Sequence, residues 1–200
     1  MQGFWDSEGG WVNRLRKFYD LQKISGEVED PPTVFNLGIS GETTAGLLKR
    51  FTNEVEARKF AGEEFVFVFG TGTNDTIYRG EQNETEPEQY EEQLKQLTEM
   101  AKKYSNKIMF VGLFPVIDDL LQPMPWSTTG KCYSTERIEL FDKTLKKFCL
   151  ANNLPVVDIF SKFSEVSELG SLLEDGIHPS SVGHELIAGL VKPELEKLIF

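Results

Sequence analysis

Residues 65–69 read Phe-Val-Phe-Val-Phe, apolar at every position. A strand covered on both faces shows that pattern, whereas a half-exposed strand alternates. The run leads directly into Gly70-Thr71-Gly72-Thr73-Asn74-Asp75. Shorter β-branched and apolar runs predict strands over 33–37, 107–113 and 154–159. Between them the spacing turns helical. Trp11, Leu15 and Phe18 recur at intervals of four and three, which predicts a helix over 11–21. Leu47, Leu48, Phe51, Val55 and Phe60 give a stripe over 43–60, with Thr43 or Thr44 as its cap. Helices are also predicted over 90–104, 135–152 and 182–199, the last kinked or interrupted at Pro193. Residues 76–88 are polar and acidic and read as a solvated loop. Residues 115–133 contain Pro123, Pro125 and Gly130 and show no period; loops of that length in compact domains are usually functional or mobile.

Strands alternate with helices, so the expected fold is α/β: three layers, α/β/α, around a mostly parallel sheet. A chain of 200 residues fits one such domain over 1–200. The net charge of −11 argues against a nucleic-acid partner, which calls for a basic face, and against an anionic membrane surface. No apolar run approaches the ~20 residues of a membrane span. Cys132 and Cys149 form no CxxC pair, and two reduced thiols fit a cytoplasmic protein. No basic, apolar leader follows Met1.

In open parallel sheets, ligands bind outside the carboxyl ends of the strands. Three segments are expected there. Asp175-Gly176-Ile177-His178-Pro179 holds one of the two histidines, three residues after an aspartate. One loop can then bring both side chains together, the carboxylate fixing the imidazole tautomer and stabilising the imidazolium formed during base catalysis. A surface loop with an Asx turn would use the same residues. In Gly72-Thr73-Asn74-Asp75, the Asn74 amide could aim an N–H at a developing oxyanion, or these residues could simply make a turn. Gly38 could let a ligand approach its backbone N–H, or could simply end a strand.

Taken together and in order, these segments resemble the SGNH, or GDSL-type, hydrolase superfamily over nearly the whole chain. Asn36-Leu37-Gly38-Ile39-Ser40-Gly41 is similar to the family's second block, Gly72-Thr73-Asn74-Asp75 to its third, and Asp175-Gly176-Ile177-His178-Pro179 to its fifth. The resemblance implies a flavodoxin-like strand order 2-1-3-4-5. It also implies Asp175 as acid, His178 as base, and Gly38 N–H with the Asn74 side chain as oxyanion hole. The doubled Gly-Thr at 70–73 departs from the family pattern.

The family's first block, a strand followed by Gly-Asp-Ser, has no counterpart. Gln2-Gly3-Phe4-Trp5-Asp6-Ser7 resembles the segment just after it. The expectation is a chain started at an internal methionine, without the central first strand and the nucleophilic serine. Buried N–H and C=O groups on the neighbouring strands would then lose partners, at about 1–3 kcal/mol each. The codons upstream of Met1 test that expectation. Ser7 follows an aspartate but no strand, so helix-start chemistry is the main reading and nucleophile the minor one. Ser40 fails the G-x-S-x-G elbow because residue 42 is Glu.

The implied function is hydrolysis of a small-molecule carboxylic ester, with no cofactor and no metal. Two alternatives stand beside it. One is an inactive relative that binds a small acyl or sugar ligand. The other is a metal hydrolase using Asp75, Asp175, His178 and His184, whose spacing departs from the usual zinc sets. Phe114, Met124, Trp126 and Tyr133 are expected to form one wall of the pocket.

Overall fold

The computed structural model describes residue 3 and residues 5–200. Helix α1 (Gly10–Ser25) ends at Gly26, whose φ of 73° supplies the left-handed cap. Helix α2 (Thr44–Glu56) begins where the Thr43 hydroxyl accepts from Gly46 N–H, and it stops short of the predicted residue 60. Strand β1 (Phe67–Phe69) is the second half of the Phe-Val run. The predicted solvated loop holds a small antiparallel hairpin, β2 (Tyr78–Arg79) and β3 (Gln82–Asn83). Helix α3 (Pro87–Lys102) starts ahead of residue 90. Pro87 sits in its first turn, where an N–H would have no helical partner, and Glu86 and Gln89 form a reciprocal capping box.

Strand β4 (Ile108–Val111), helix α4 (Thr135–Ala151), strand β5 (Val156–Val157), helix α5 (Ile159–Ser164) and helix α6 (Ser181–Ile199) complete the order. The sequence does not announce α5, because six residues are too few to show a helical period. Nor does Pro193 break α6, which runs through it. A proline has no N–H to offer the carbonyl four residues back, but it need not end the helix.

The main sheet is parallel, in the order β1-β4-β5. Its pleat sorts the core. Phe65, Phe67 and Phe69 face α2, α3 and α4 together with Phe51, Leu94 and Phe141, while Val66 and Val68 face the other way. In β4, Ile108 and Phe110 join the first cluster, and Met109 and Val111 join Trp11, Leu15, Ile187 and Val191 of α1 and α6. The sheet thus lies between two helical layers, the three-layer α/β/α fold expected.

One predicted strand is absent. Residues 31–39 carry no regular secondary structure. The reason is the lack of a neighbour. Among the described residues β1 pairs with β4 alone, and a cleft of about 710 Å³ runs between the free edge of β1 and residues 33–38. Val34, Phe35, Val66 and Val68 line it, with Trp11 and Phe51 from the two helical layers. A strand without a ladder partner gains none of the hydrogen bonds that define it.

The start of α1 is tied to the start of α6 by a buried charge. Asp6 takes Arg14 in a bidentate pair at 2.8 and 2.9 Å, and the Ser181 hydroxyl at 3.0 Å. Burial works to raise the Asp6 carboxyl, but the Arg14 hydrogen bonds and the Glu8 N–H outweigh it and hold it far below the usual range. That junction fixes the turn that precedes α6.

Candidate active site

The turn before α6 is closed on itself. Ser180 N–H donates to Leu172 O at 2.9 Å and Glu174 N–H to His178 O at 2.8 Å. Gly176 adopts φ 95°, and a Cβ there would sit 3.2 Å from Leu120 Cβ, so both conformation and space call for glycine. Within this frame Asp175 Oδ1 accepts the N–H groups of Ile177 and His178, at 3.2 and 2.9 Å. Its Oδ2 lies 2.7 Å from His178 Nδ1. Burial pushes the Asp175 carboxyl up, yet the hydrogen bonds from His178 and Ile177 win and hold it below the ordinary value. An ionised Asp175 makes Nδ1 the protonated nitrogen and leaves Nε2 as the basic one. The His178 side chain is 44% exposed and lines the cleft. The Trp126 ring lies 6.3 Å from the His178 ring, tilted by 31°.

At the carboxyl end of β1 the chain turns through Gly72 into a short 3-10 helix, Thr73–Thr76. A Cβ on Gly72 would come within 2.5 Å of Tyr90 Oη, so that turn needs glycine. The helix sets Asn74 on the cleft wall. Asn74 Nδ2 donates to Glu42 O at 2.9 Å, and Tyr133 Oη donates to Asn74 Oδ1 at 3.0 Å. Gly38 lines the same cleft, but its N–H donates to Asn36 Oδ1 at 3.1 Å. Asp175, His178 and Asn74 were thus readable from the sequence as a group, while the Asn36 contact at Gly38 was not.

Sequence reasoning also misses Arg50. Its guanidinium grips the Glu42 carboxylate through two nitrogens and donates to Leu37 O at 2.7 Å, pinning both ends of the 37–42 loop that carries Gly38. The pairing joins residues eight apart across a loop, which no helical or strand spacing signals. Ser7 is exposed in the turn before α1 and does not line the cleft. The segment around it was read from residue 2 onward; Gln2 and Phe4 lie outside the described residues. Ser40 is exposed at the cleft. Among the described residues, no hydroxyl or thiol is hydrogen-bonded to His178 Nε2.

The residues weighed as metal ligands are used separately. Asp75 is buried and accepts from Thr44 N–H and Oγ1, at 3.0 to 3.1 Å, at the start of α2. His184 is buried and accepts Trp11 N–H on Nδ1 at 3.3 Å. Among the described residues no group of three or more His, Cys, Asp or Glu side chains is placed to hold a metal. Cys149 is buried, which pushes its thiol up to about 12, and it is not a nucleophile at neutral pH.

The profile of the GDSL-like lipase/acylhydrolase family matches residues 1–186. The chain belongs to that family. Its fold is shared with several solved structures. A lipase/acylhydrolase from Enterococcus faecalis superposes with a TM-score of 0.70 at 24% identity, covering 89% of this chain and 84% of that one. Axe2, an acetylxylan esterase from Geobacillus stearothermophilus, gives 0.68 at 21%, over 93% and 80% of the two chains. LAE5, an alpha/beta hydrolase from the metagenome of Lake Arreo, Spain, gives 0.68 at 18%, over 94% and 82%. No curated protein matches the chain. For a GDSL-like family member, the three segments that line the cleft are the ones whose sequence resembles the family's blocks. Among the described residues no helix is long and apolar enough to cross a membrane.

Proposed function

We propose that this GDSL-like protein hydrolyses carboxylic esters of small molecules, with Asp175 and His178 as its acid–base pair. The observation that carries the reading is the 2.7 Å contact between Asp175 Oδ2 and His178 Nδ1, set on a rigid turn at the mouth of an apolar cleft. In this reading His178 Nε2 takes the proton of an attacking serine hydroxyl. The oxygen then bonds to the acyl carbon, and the carbonyl electrons move onto its oxygen. The free Asn74 N–H receives that oxyanion. Gly38 N–H joins it by exchanging Asn36 Oδ1 for the substrate oxygen. Collapse of the tetrahedral species expels the alkoxide, which takes the proton from the imidazolium. Water repeats the sequence on the acyl-enzyme and releases the acid. No cofactor enters these steps.

The attacking serine belongs, in this account, on a strand laid along the free edge of β1. Two features support that placement. The cleft lies in the plane of the sheet, between both helical layers, and Val34, Val66, Val68, Trp11 and Phe51 give it an apolar wall beside β1. β1 runs toward Gly70–Asn74, so a parallel neighbour would end beside Asn74, Gly38 and His178. The family itself, together with the acetylxylan esterase Axe2 and the Enterococcus faecalis lipase/acylhydrolase that share the fold, favours an ester as substrate.

A second reading rests on one observation, the lack of any hydroxyl bonded to His178 Nε2 among the described residues. It makes the protein a binder of acyl or sugar ligands. A fluorophosphonate probe separates the two. In the chain extended ahead of Met1 by a strand and Gly-Asp-Ser, labelling of a serine that is lost in His178→Ala supports hydrolysis; ligand binding without labelling supports the binder.

A further inference from the structure

Asn74 has two amide protons and one carbonyl oxygen, and the structure shows where each of its fixed bonds goes. The Glu42 carbonyl can only accept, so the atom 2.9 Å from it must be Nδ2. A flipped amide would set Oδ1 against that carbonyl, oxygen to oxygen. Oδ1 therefore faces Tyr133, whose hydroxyl must donate its proton at 3.0 Å. One Nδ2 proton is consumed by Glu42, and the second remains for the cleft that Asn74 lines.

Tyr133 can hold this role because nothing else moves it. The residue is 4% exposed. Its N–H donates to Leu121 O at 3.2 Å, and Gln122 Nε2 donates to its carbonyl at 3.3 Å. Burial, with Glu84 adding to it, pushes the phenol up to about 12, so the donor proton stays in place across the working range of an esterase. The loop 115–133, read from sequence as a pocket wall, thus reaches the reacting centre through its last residue.

We propose that Tyr133 is the positioning residue of the oxyanion hole: its hydroxyl locks the Asn74 amide so that one N–H is turned toward the substrate oxygen. The proposal rests on the oxyanion role read for Asn74, but its first test does not need catalysis. In the ¹⁵N-labelled full chain, the Asn74 side-chain pair is assigned by its loss in Asn74→Asp. Tyr133→Phe removes one oxygen and keeps the ring. The expected result is a shift or broadening of the Asn74 pair and solvent exchange of its protons faster by about tenfold or more, with the backbone amide spectrum otherwise retained. An Asn74 pair unchanged in position and exchange overturns the proposal. If Tyr133→Phe does not fold, 3-fluorotyrosine at position 133 keeps the hydroxyl but makes it a stronger donor, and must move the Asn74 signals.

Ester turnover by the chain extended ahead of Met1 with a strand and Gly-Asp-Ser supplies the second arm. The variant should lower kcat by about tenfold, less than removal of a whole oxyanion donor, with KM changed less than about twofold. A fall in KM-linked binding alone overturns the positioning role. Perturbed Asn74 signals in a folded, Gly-Asp-Ser-extended chain that hydrolyses no ester would sink the hydrolase reading and leave the amide lock standing.

Discussion

At the scale of single residues, the proposed function separates groups assigned to the chemistry from groups that hold them. In a chain extended ahead of Met1 by a strand and Gly-Asp-Ser, His178→Ala and Asp175→Asn are each expected to lower kcat for a short-chain ester by about 10³–10⁴-fold, as loss of the base or of its tautomer does. Asn74→Ala should cost about 10²–10³-fold, and Ser7→Ala nothing, since Ser7 lies outside the cleft. Steady-state kinetics on purified variants check all four. Asp175, His178 and Asn74 were legible in the sequence because each sits in a short segment whose chemistry is local. The spacing of three between Asp175 and His178 is itself the geometry. What supports them was not legible. Arg50 acts across a loop and Tyr133 reaches over from a segment without any period, and such contacts exist only once the fold has formed. Gly38 is expected from the sequence at the end of a strand, and no strand forms at 33–37. Its hydrogen bond to Asn36 shows that a free N–H cannot be assumed from the residue type.

At the scale of elements, the tie between α1 and α6 matters more than its surface position implies. The Asp6 side chain is fully buried, and Arg14 is its main counter-charge. Arg14→Met would leave that charge uncompensated, and a loss of about 3–5 kcal/mol in denaturant unfolding is expected. Adding Asp6→Asn to Arg14→Met should return a large part of it, because no buried charge remains. If the double variant is no more stable than the single, the packing of Arg14 and not its charge is what counts. The elements themselves were read well where propensity, capping and period agree, as in α4 and α3. They were misread where tertiary context decides. Residues 33–37 have strand composition but no strand, because a ladder needs a neighbour and the cleft intervenes. The 76–88 segment has loop composition yet forms a hairpin, its first strand bridged through Tyr78 to Cys132 of the long loop.

At the scale of the whole molecule, two buried groups pull the pH dependence of stability in opposite directions. Burial raises Asp75 from 3.8 to about 6 against the pull of the Thr44 hydrogen bonds, so the fold favours its protonated form. Its contribution is greatest below 3.8 and falls as pH rises to about 6. Burial lowers His184 from 6.5 to about 4, with Asp6 opposing, so the fold favours the neutral ring. That contribution is intact above 6.5 and falls as pH drops to about 4. Each is worth about 3 kcal/mol by the size of its shift. Thermal unfolding of the unaltered chain should therefore vary little between pH 4 and 6. His184→Asn, which keeps an acceptor for Trp11 N–H, should become more stable on acidification, and Asp75→Asn less stable. Parallel curves for all three proteins would show that neither group titrates as described. The layers and the parallel sheet followed from the alternation of strands and helices, and the apolar faces of β1 and β4 told which layers to expect. Composition alone cannot show which strand, among the described residues, is paired on one side only, as β1 is. The cleft beside β1 is also where the functional account is most exposed. The direct test is hydrolysis of a short-chain ester by the 200-residue chain and by a fusion that places five apolar residues and Gly-Asp-Ser ahead of Met1, each with and without His178→Ala. The account predicts hydrolysis by the fusion that His178→Ala lowers by about 10³-fold or more, and none by the shorter chain. A fusion that folds yet hydrolyses no ester, or hydrolysis that survives His178→Ala, would contradict it.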